Sequence, residues 1–218
     1  MGYNIAIDGP AGAGKSTIAK LVAKERGYIY VDTGAMYRGM AIYFLQQGIR
    51  PEETEKIAAA SKDADVSIVY EDGVQQIYLN GENVTAKLRE EEVGNMASMC
   101  SAVPEVRAQL LELQRNLAAR ENVVMDGRDI GTNILPNADT KIYLTASVDT
   151  RANRRFLELQ EKGVDCNLEE IARDIEERDY RDMHREIAPL RQAEDAVYVD
   201  SSNLSIEEVV ETILSHCK

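Results

Sequence analysis

The stretch that decides the fold lies near the start of the chain and reads Gly9-Pro10-Ala11-Gly12-Ala13-Gly14-Lys15-Ser16-Thr17. It matches the pattern G-x-x-x-x-G-K-[ST] at every fixed position, and this pattern is typical of loops that bind nucleotide phosphates. Glycines let backbone N–H groups curl around phosphate oxygens, Lys15 places a cation beside the β- and γ-phosphates, and the Ser16 hydroxyl can bind Mg²⁺. We therefore expect a phosphate-binding loop (P-loop) over these nine residues, all of them in contact with a nucleoside triphosphate.

The segments around the P-loop alternate between strand and helix patterns. A strand pattern, Asn4-Ile5-Ala6-Ile7-Asp8, precedes the loop, and a helical pattern from Ser16 to Arg26 follows it. Further strand patterns, separated by helical ones, cover residues 28–31, 123–126, 141–145 and 197–199. The last helix opens with a capping box from Ser205 to Glu208. This alternation predicts an α/β fold with a parallel sheet that is covered on both faces.

One region departs from this alternation. Short strand patterns at 66–70, at 76–79 and near Val84 are joined by the turn sequences Asp72-Gly73 and Asn80-Gly81. Such turns are typical of antiparallel hairpins. A helical pattern over 89–101 follows. The region therefore predicts a small inserted subdomain of antiparallel strands and helix.

Composition excludes several classes of protein. The net charge is −13, which opposes binding to a nucleic acid polymer or an anionic membrane, although a small anionic substrate needs only local cations. No apolar run approaches the roughly 18 residues that a membrane-spanning helix requires. Three scattered cysteines and no signal-peptide pattern lead us to expect a cytoplasmic protein without disulfides. No zinc motif is present. No exposed apolar helix face stands out, and this favours a monomer.

Arginines are concentrated towards the end of the chain. Eight of the 16 lie between positions 151 and 191. Arg151, Arg154 and Arg155 have the spacing of one helix face, and Arg178, Arg181 and Arg185 have the spacing of a second such face. Guanidinium groups suit bidentate contact with phosphate. Acidic neighbours leave open a pair of solvated faces with salt bridges, but beside a P-loop we prefer phosphate binding.

Three further motifs resemble those of bacterial cytidylate kinases. Asp32-Thr33-Gly34-Ala35-Met36-Tyr37-Arg38 resembles their D-[ST]-G-x-x-Y-R motif, and Asp126-Gly127-Arg128-Asp129-Ile130-Gly131-Thr132 resembles their D-G-R-D-x-G-T motif. Glu177-Arg178-Asp179-Tyr180-Arg181-Asp182, with Arg185 downstream, resembles their E-R-D-x-R-D segment. The similarity runs essentially from end to end. It implies the nucleoside monophosphate kinase fold, which has a five-stranded parallel sheet core, an inserted small antiparallel β/helix subdomain that binds the acceptor, and a short lid.

The resemblance also implies roles for the matching residues. Asp129 and Arg107 would read the cytosine base, because a carboxylate suits its N4 amino donor and an arginine suits its N3 and O2 acceptors. Ser98 would add a hydroxyl. Thr33 would also contact the acceptor, at a position where the family more often has serine, and Tyr37 would lie near the base. Arg38, Arg128 and Arg185 would contact the acceptor phosphate. Arg178 and Asp182 would contact the sugar.

The implied reaction is Mg²⁺-dependent transfer of the ATP γ-phosphoryl group to CMP or dCMP. The implied catalytic cations are Lys15, Arg128 and Arg185, and the implied lid contacts to ATP phosphates are Arg151, Arg154 and Arg155. Ser16 would bind the metal. Asp126 would either accept a hydrogen bond from a metal-bound water or simply cap the end of its strand.

We expect the functional regions to follow one another along the chain. They are 1–34 (core with the P-loop), 35–101 (acceptor-binding region with the inserted strands), 102–149 (core), 150–166 (lid) and 167–218 (core). Two alternatives remain at this stage. Another nucleoside monophosphate kinase, for example one specific for UMP, would need other groups in place of Arg107 and Asp129. A P-loop binding or switch protein would have no acceptor site.

Overall fold

The computed structural model describes residues 2–218, and Met1, the first residue of the predicted N-terminal region, lies outside them. The strands are β1 (Asn4–Asp8), β2 (Ile29–Asp32), β3 (Val66–Glu71), β4 (Val74–Leu79), β5 (Glu82–Asn83), β6 (Val123–Gly127), β7 (Thr140–Thr145) and β8 (Val197–Asp200). The α-helices are α1 (Lys15–Arg26), α2 (Thr33–Gln46), α3 (Thr54–Ser61), α4 (Glu91–Cys100), α5 (Pro104–Arg120), α6 (Val148–Glu161), α7 (Leu168–His184) and α8 (Ile206–Ser215). A short 3-10 helix covers Thr85–Lys87, and a single π-helical turn covers Ile130–Ile134. Within residues 2–218, no helix combines the length and the apolar character needed to cross a membrane.

The strands form the two sheets that the sequence predicts. Five of them make a parallel sheet in the order β2-β6-β1-β7-β8. In its register Ile5 lies opposite Thr140 and Ile142 lies opposite Val197. The other three make a separate antiparallel sheet in the order β3-β4-β5. The predicted fold class, an α/β fold with an inserted antiparallel element, is therefore confirmed.

The second strand begins one residue later than the sequence predicts. The backbone N–H of Tyr28 donates to the carbonyl of Ala23, and that of Gly27 donates to Lys24. These bonds satisfy the last carbonyls of α1, as in a Schellman cap. Tyr28 thus completes the end of the helix, and β2 begins at Ile29.

The chain divides into two compact units. One, which we call the inserted unit, comprises Gly2 and Ile29–Val123, and the other, the P-loop unit, comprises Tyr3–Tyr28 and Val124–Lys218. This division follows contacts within each unit, whereas the predicted regions 1–34, 35–101, 102–149, 150–166 and 167–218 are functional. The functional division stays a prediction.

The inserted unit is built around α2, which packs against α4 and against strands β3 and β4. Side chains of the small sheet also hold β2. The amide of Gln75 accepts from the Asp32 backbone N–H (2.9 Å) and donates to the Asp32 carbonyl (3.1 Å). The Tyr70 hydroxyl donates to the carbonyl of Tyr30 (3.0 Å). The predicted hairpin turns are present, with positive φ at Asp72-Gly73 and Asn80-Gly81.

The P-loop unit packs α1 against α8 and α6 against α7. The predicted capping box is formed at the start of α8. The Ser205 hydroxyl accepts from the Glu208 backbone N–H (3.2 Å), and the Glu208 carboxylate accepts from the Ser205 backbone N–H (2.7 Å). Apolar residues of β1, β6 and β7 are almost completely buried and form the centre of this unit.

Candidate active site

The P-loop connects the end of β1 to the start of α1. Gly12 and Gly14 adopt positive φ values of 75° and 85°, a backbone conformation that favours glycine. Gly14 is the residue before α1, so the free N–H groups of the first helical turn face the loop. This geometry suits an anion at the helix N-terminus, as the motif predicts.

Lys15 lies inside the loop. Its side chain is buried, and Nζ donates to the carbonyl of Pro10 at 2.7 Å. Burial, and then the charge of Arg128, lower the pKa of the Lys15 ammonium well below its usual value, against the opposing effect of nearby carboxylates. An anionic phosphate at the loop would favour the charged form again.

Ser16 and Asp126 supply oxygen atoms beside the loop. The Ser16 hydroxyl donates to Oδ2 of Asp126 at 3.0 Å. Asp126 is buried and belongs to β6, which neighbours β1 in the sheet. Hydroxyl and carboxylate oxygens are donors that Mg²⁺ accepts, so this pair fits the predicted metal position.

Arg128 and Asp182 form a largely buried ion pair. Nε of Arg128 donates to Oδ2 of Asp182 at 2.8 Å. Burial opposes ionisation of Asp182, but the charges of Arg128, Arg178 and Arg185 outweigh burial and lower the pKa of this carboxyl group. Arg178 lies one helical turn before Asp182 on α7. These four residues, predicted as acceptor contacts, thus lie in one electrostatic cluster.

Asp129 and Arg185 meet in a second buried pair. Nη2 of Arg185 donates to Oδ1 of Asp129 at 3.4 Å, and Nε of Arg185 donates to the carbonyl of Ala188 at 2.7 Å. The other oxygen of Asp129, Oδ2, accepts from the amide of Asn133 at 3.1 Å. The carboxylate is therefore held in one orientation, although the sequence alone suggests an exposed turn as readily as a fixed group.

The three arginines predicted for the lid lie on α6, but their surroundings differ. Arg151 is buried and donates to the Ala11 carbonyl of the P-loop (3.0 Å), to Ala146 (2.9 Å) and to Asp179 (2.6 Å). Arg154 donates to the Ser201 carbonyl, and Arg155 is paired with Glu158. Arg151 thus supports the P-loop through its backbone, and the contacts of all three with ATP stay predictions.

Two acidic residues of the P-loop unit were not predicted as functional. Asp8 accepts hydrogen bonds from the residues that follow Asp129, and Asp179 pairs with Arg151. For Asp8, the available signal is a charged residue at the carboxyl end of an otherwise apolar strand. For Asp179, the sequence offers only its place inside the E-R-D-x-R-D segment.

In the inserted unit, the predicted acceptor residues lie on three helices. Asp32 caps α2 by accepting from the Ala35 backbone N–H (2.9 Å), which sets the start of the helix that carries Thr33, Tyr37 and Arg38. Thr33 and Tyr37 are buried, and Arg38 is half-buried. Ser98 is half-buried on α4.

Arg107, on α5, is brought to Tyr37. Its guanidinium carbon lies 5.9 Å from the centre of the Tyr37 ring, and Nη1 donates to the Ser101 carbonyl at 3.2 Å. Cation–π contact over a tyrosine ring favours this placement. Arg107 is also buried, so a planar donor group is fixed beside an aromatic ring, as a site for a planar base requires.

Comparison with known proteins shows to which family the chain belongs. The family model described as cytidylate kinase matches residues 5–218. A cytidylate kinase of Caldicellulosiruptor bescii is 52% identical over 211 residues, which cover 97% of this chain and 93% of the relative. A cytidylate kinase of Bacillus subtilis is 46% identical over 211 residues, which cover 97% and 94%.

A solved structure of a protein from Eubacterium ventriosum superposes with a TM-score of 0.51 at 12% identity, covering 98% of this chain and 97% of that one. At this identity the likeness concerns the fold alone. The family match and the identity to its members go further, because they extend over nearly the whole chain. The chain belongs to the cytidylate kinase family.

Proposed function

We propose that the chain transfers the γ-phosphoryl group of ATP to CMP or dCMP. The observation that carries the proposal is a set of cations in the P-loop unit, in which Lys15, Arg128 and Arg185 are each held by a neighbouring oxygen. A P-loop protein without an acceptor needs only the lysine, whereas two sets of phosphates need more positive charge. Membership of the family supports CMP as the acceptor.

On the donor side, the N–H groups of the P-loop would surround the ATP phosphates, with Lys15 beside the β- and γ-phosphates. Arg151 would keep the loop in place through Ala11, and Arg154 and Arg155 would reach the phosphates from α6. Ser16 would bind Mg²⁺, and Asp126 would accept a hydrogen bond from a water on the metal. Bound Mg²⁺ would neutralise part of the charge on the ATP phosphates.

On the acceptor side, Arg107 would donate to N3 and O2 of cytosine, and Asp129 would accept from N4, with Ser98 adding a hydroxyl. Uracil reverses both polar groups, so each residue would face an unmatched partner, which is costly when buried. The remaining contacts proposed are Thr33 and Tyr37 near the base, Arg38, Arg128 and Arg185 on the phosphate, and Arg178 and Asp182 on the sugar.

The chemistry needs no proton transfer from the protein, because the attacking phosphate oxygen is already ionised at neutral pH. The residues would act by alignment and by stabilising charge in an in-line transition state. Asp182 holds Arg128, and Asp129 holds Arg185, so both guanidinium groups are oriented before a substrate binds. The proposed lid, residues 150–166, would keep water away from the phosphoryl group.

We also propose that the protein works as a monomer in the cytoplasm, where ATP and CMP are present. A molar mass near 24.3 kDa from light scattering behind a sizing column would support the monomer. A mass of about twice that value, which a closed two-fold dimer gives, would overturn it.

The proposal is tested by measuring ADP formation from ATP and Mg²⁺ with CMP, dCMP, UMP, AMP or GMP, and without an acceptor. A Lys15→Met variant serves as the inactive control, and chelation of Mg²⁺ tests the metal. We expect rapid turnover with CMP and dCMP only. Equal turnover with UMP would contradict the proposed contacts to the base but would still show kinase activity. An ATP hydrolysis rate that no acceptor changes would favour a P-loop binding or switch protein.

A further inference from the structure

Asp8 makes two hydrogen bonds that link the P-loop strand to the turn after β6. It is the last residue of β1 and directly precedes the P-loop. Its Oδ1 accepts from the Ile130 backbone N–H at 2.8 Å, and its Oδ2 accepts from the Gly131 backbone N–H at 2.7 Å. The residue is 4% exposed, so these bonds are shielded from water.

The same turn is held from its other side by Lys141 of β7. A Cβ atom on Gly131 would lie 3.2 Å from Cδ of Lys141 and 3.4 Å from Oδ2 of Asp8. Nζ of Lys141 is itself fixed, because it donates to both carboxylate oxygens of Asp195. The backbone at Gly131 therefore lies close to an aliphatic stem and a carboxylate, and a side chain there would require the Lys141 stem to shift.

This turn carries Asp129 at its start. The Asp129 carbonyl accepts from the backbone N–H groups of Asn133 (3.0 Å) and Ile134 (3.1 Å). Because Ile130 and Gly131 follow directly, fixing their N–H groups also fixes the peptide planes next to Asp129. The position of the Asp129 carboxylate thus depends on a bond network that ends at Asp8.

We propose that Asp8 is a positioning residue, which acts through the turn 129–134 to hold Asp129 for recognition of the acceptor base. This inference rests on the proposed function of Asp129. The two hydrogen bonds that the Asp8 side chain accepts come from the backbone of this turn, and its charge also acts on Lys15 of the P-loop. These hydrogen bonds join the turn that carries Asp129 to the strand that leads into the P-loop. One carboxylate would therefore support both the turn that recognises the acceptor and the loop that binds the donor.

A carboxylate is specifically suited to this role. Two N–H donors point at its two oxygens, whereas the amide of asparagine offers one acceptor oxygen and sets an NH₂ group against the second N–H. Asp8→Asn therefore keeps the size of the side chain and removes one of the two bonds. It is the smallest change that tests the network.

The first measurement compares steady-state kinetics of the wild-type protein and Asp8→Asn. We expect kcat/KM for CMP to fall about tenfold, as for a lost hydrogen bond to a charged group, with a smaller change in KM for ATP. Val199→Ala, a buried truncation in β8, is the control for lowered stability and should leave both KM values unchanged. Gly131→Ala, whose methyl group would lie 3.2 Å from the Lys141 stem against the same turn, should reproduce the Asp8→Asn pattern and is used if that variant does not fold.

The decisive measurement is a double-mutant cycle with Asp129→Ala. If Asp8 acts through Asp129, then Asp8→Asn should change kcat/KM for CMP by less than about twofold in the Asp129→Ala background. Fully additive losses would overturn the proposal, as would equal losses for ATP and CMP.

Hydrogen exchange supplies a readout that needs no activity. The amides of Ile130 and Gly131 should exchange faster in Asp8→Asn than in Val199→Ala of equal stability, and unchanged exchange would overturn the network. Failure of the proposed function looks different. The wild-type protein would then not discriminate CMP from UMP, whereas the exchange result would stand.

Discussion

At the residue scale, the site is a set of charges that hold one another in place. Lys15, Arg128 and Arg185 are buried or largely buried, and each donates to a fixed oxygen. In water such side chains sample many rotamers, so ordering them costs conformational entropy. Because this entropy is lost when the protein folds, the phosphate ligand that we propose would meet donors that are already oriented.

Asp129→Ala should remove the discrimination between cytosine and uracil. We expect kcat/KM for CMP to fall about a hundredfold, because the N4 amino group loses a charged acceptor, while the low value for UMP changes little. Steady-state kinetics with both acceptors measure the ratio. Asp63→Ala, which removes an exposed carboxylate by the same substitution, is the control for lost charge. An unchanged ratio would contradict the assignment.

Asp8 should give stability a pH dependence of its own. Burial raises its pKa from 3.8 to about 6, and the nearby charge of Asp129 adds to the rise, whereas the N–H groups of Gly131 and Ile130 and the charge of Lys15 lower it. The ammonium group of Lys141, from β7, forms an ion pair with Asp195. The folded protein binds the proton of the Asp8 carboxyl group more tightly than the unfolded chain does. Asp8 therefore contributes favourably to the free energy of unfolding below pH 4, and this contribution is lost as the pH rises to 6.

The size of that contribution is on the order of 3 kcal/mol. Urea unfolding of the wild-type protein and Asp8→Asn at pH 4.5, 5.5 and 7 isolates it, since all other titrating groups are common to both. We expect the wild-type protein to lose stability relative to the variant across this range. Parallel pH profiles would show that the carboxyl group titrates near its ordinary value.

At the element scale, one helix face can serve more than one purpose. The spacing of Arg151, Arg154 and Arg155 predicts that they share a face of α6, yet one is buried against the P-loop and another is paired with Glu158. The periodicity of a helix determines on which side of the helix a residue lies. It does not determine which residues of other elements face that side. The partners of these arginines depend on where α7, β8 and the P-loop pack.

Arg151→Ala should weaken the P-loop unit and its hold on ATP. The change removes the guanidinium group that pairs with the buried Asp179 and frees the Ala11 carbonyl, so we expect a loss of about 3–5 kcal/mol in the free energy of unfolding. KM for ATP should rise more than KM for CMP. Arg155→Ala, on the same helix but exposed, should cost less than about 0.5 kcal/mol. Urea unfolding and kinetics give both results, and equal effects of the two variants would contradict the buried role.

Ser205→Ala should lower stability without touching the site. The hydroxyl caps α8 as half of a capping box, and its loss costs about 1 kcal/mol. The control is Ser215→Ala, whose hydroxyl donates to the Thr212 carbonyl near the other end of α8. We expect kcat to stay the same in both. A larger loss for Ser215→Ala would mean that the box does not set the start of the helix.

At the scale of the whole molecule, acceptor binding should stabilise the folded chain. A ligand that binds only the native state at about 100 times its Kd adds about 2.7 kcal/mol. Thermal unfolding with CMP or UMP at one concentration should show a clear rise in Tm with CMP and little with UMP. Equal rises would contradict the proposed contacts of Arg107 and Asp129, since these distinguish the two bases.

The sequence by itself determined the class of fold and most of the elements. The P-loop motif, the strand patterns around it and the turn pairs Asp72-Gly73 and Asn80-Gly81 are local signals, and local signals act over a few residues of backbone. The family motifs also placed candidate roles on Asp129, Arg128 and Arg185 before any contact was known. Spacing along the chain was sufficient for each of these predictions.

Only the tertiary structure decided which of those residues hold each other. Asp8 and Gly131 are 123 positions apart and Arg151 and Asp179 are 28 apart, and no local pattern relates such pairs. They meet because neighbouring parallel strands bring their carboxyl ends to one edge of the sheet, and because α7 packs against α6. A carboxylate at a strand end is therefore ordinary in the sequence, and the role that we propose for Asp8 rests on its burial against backbone donors.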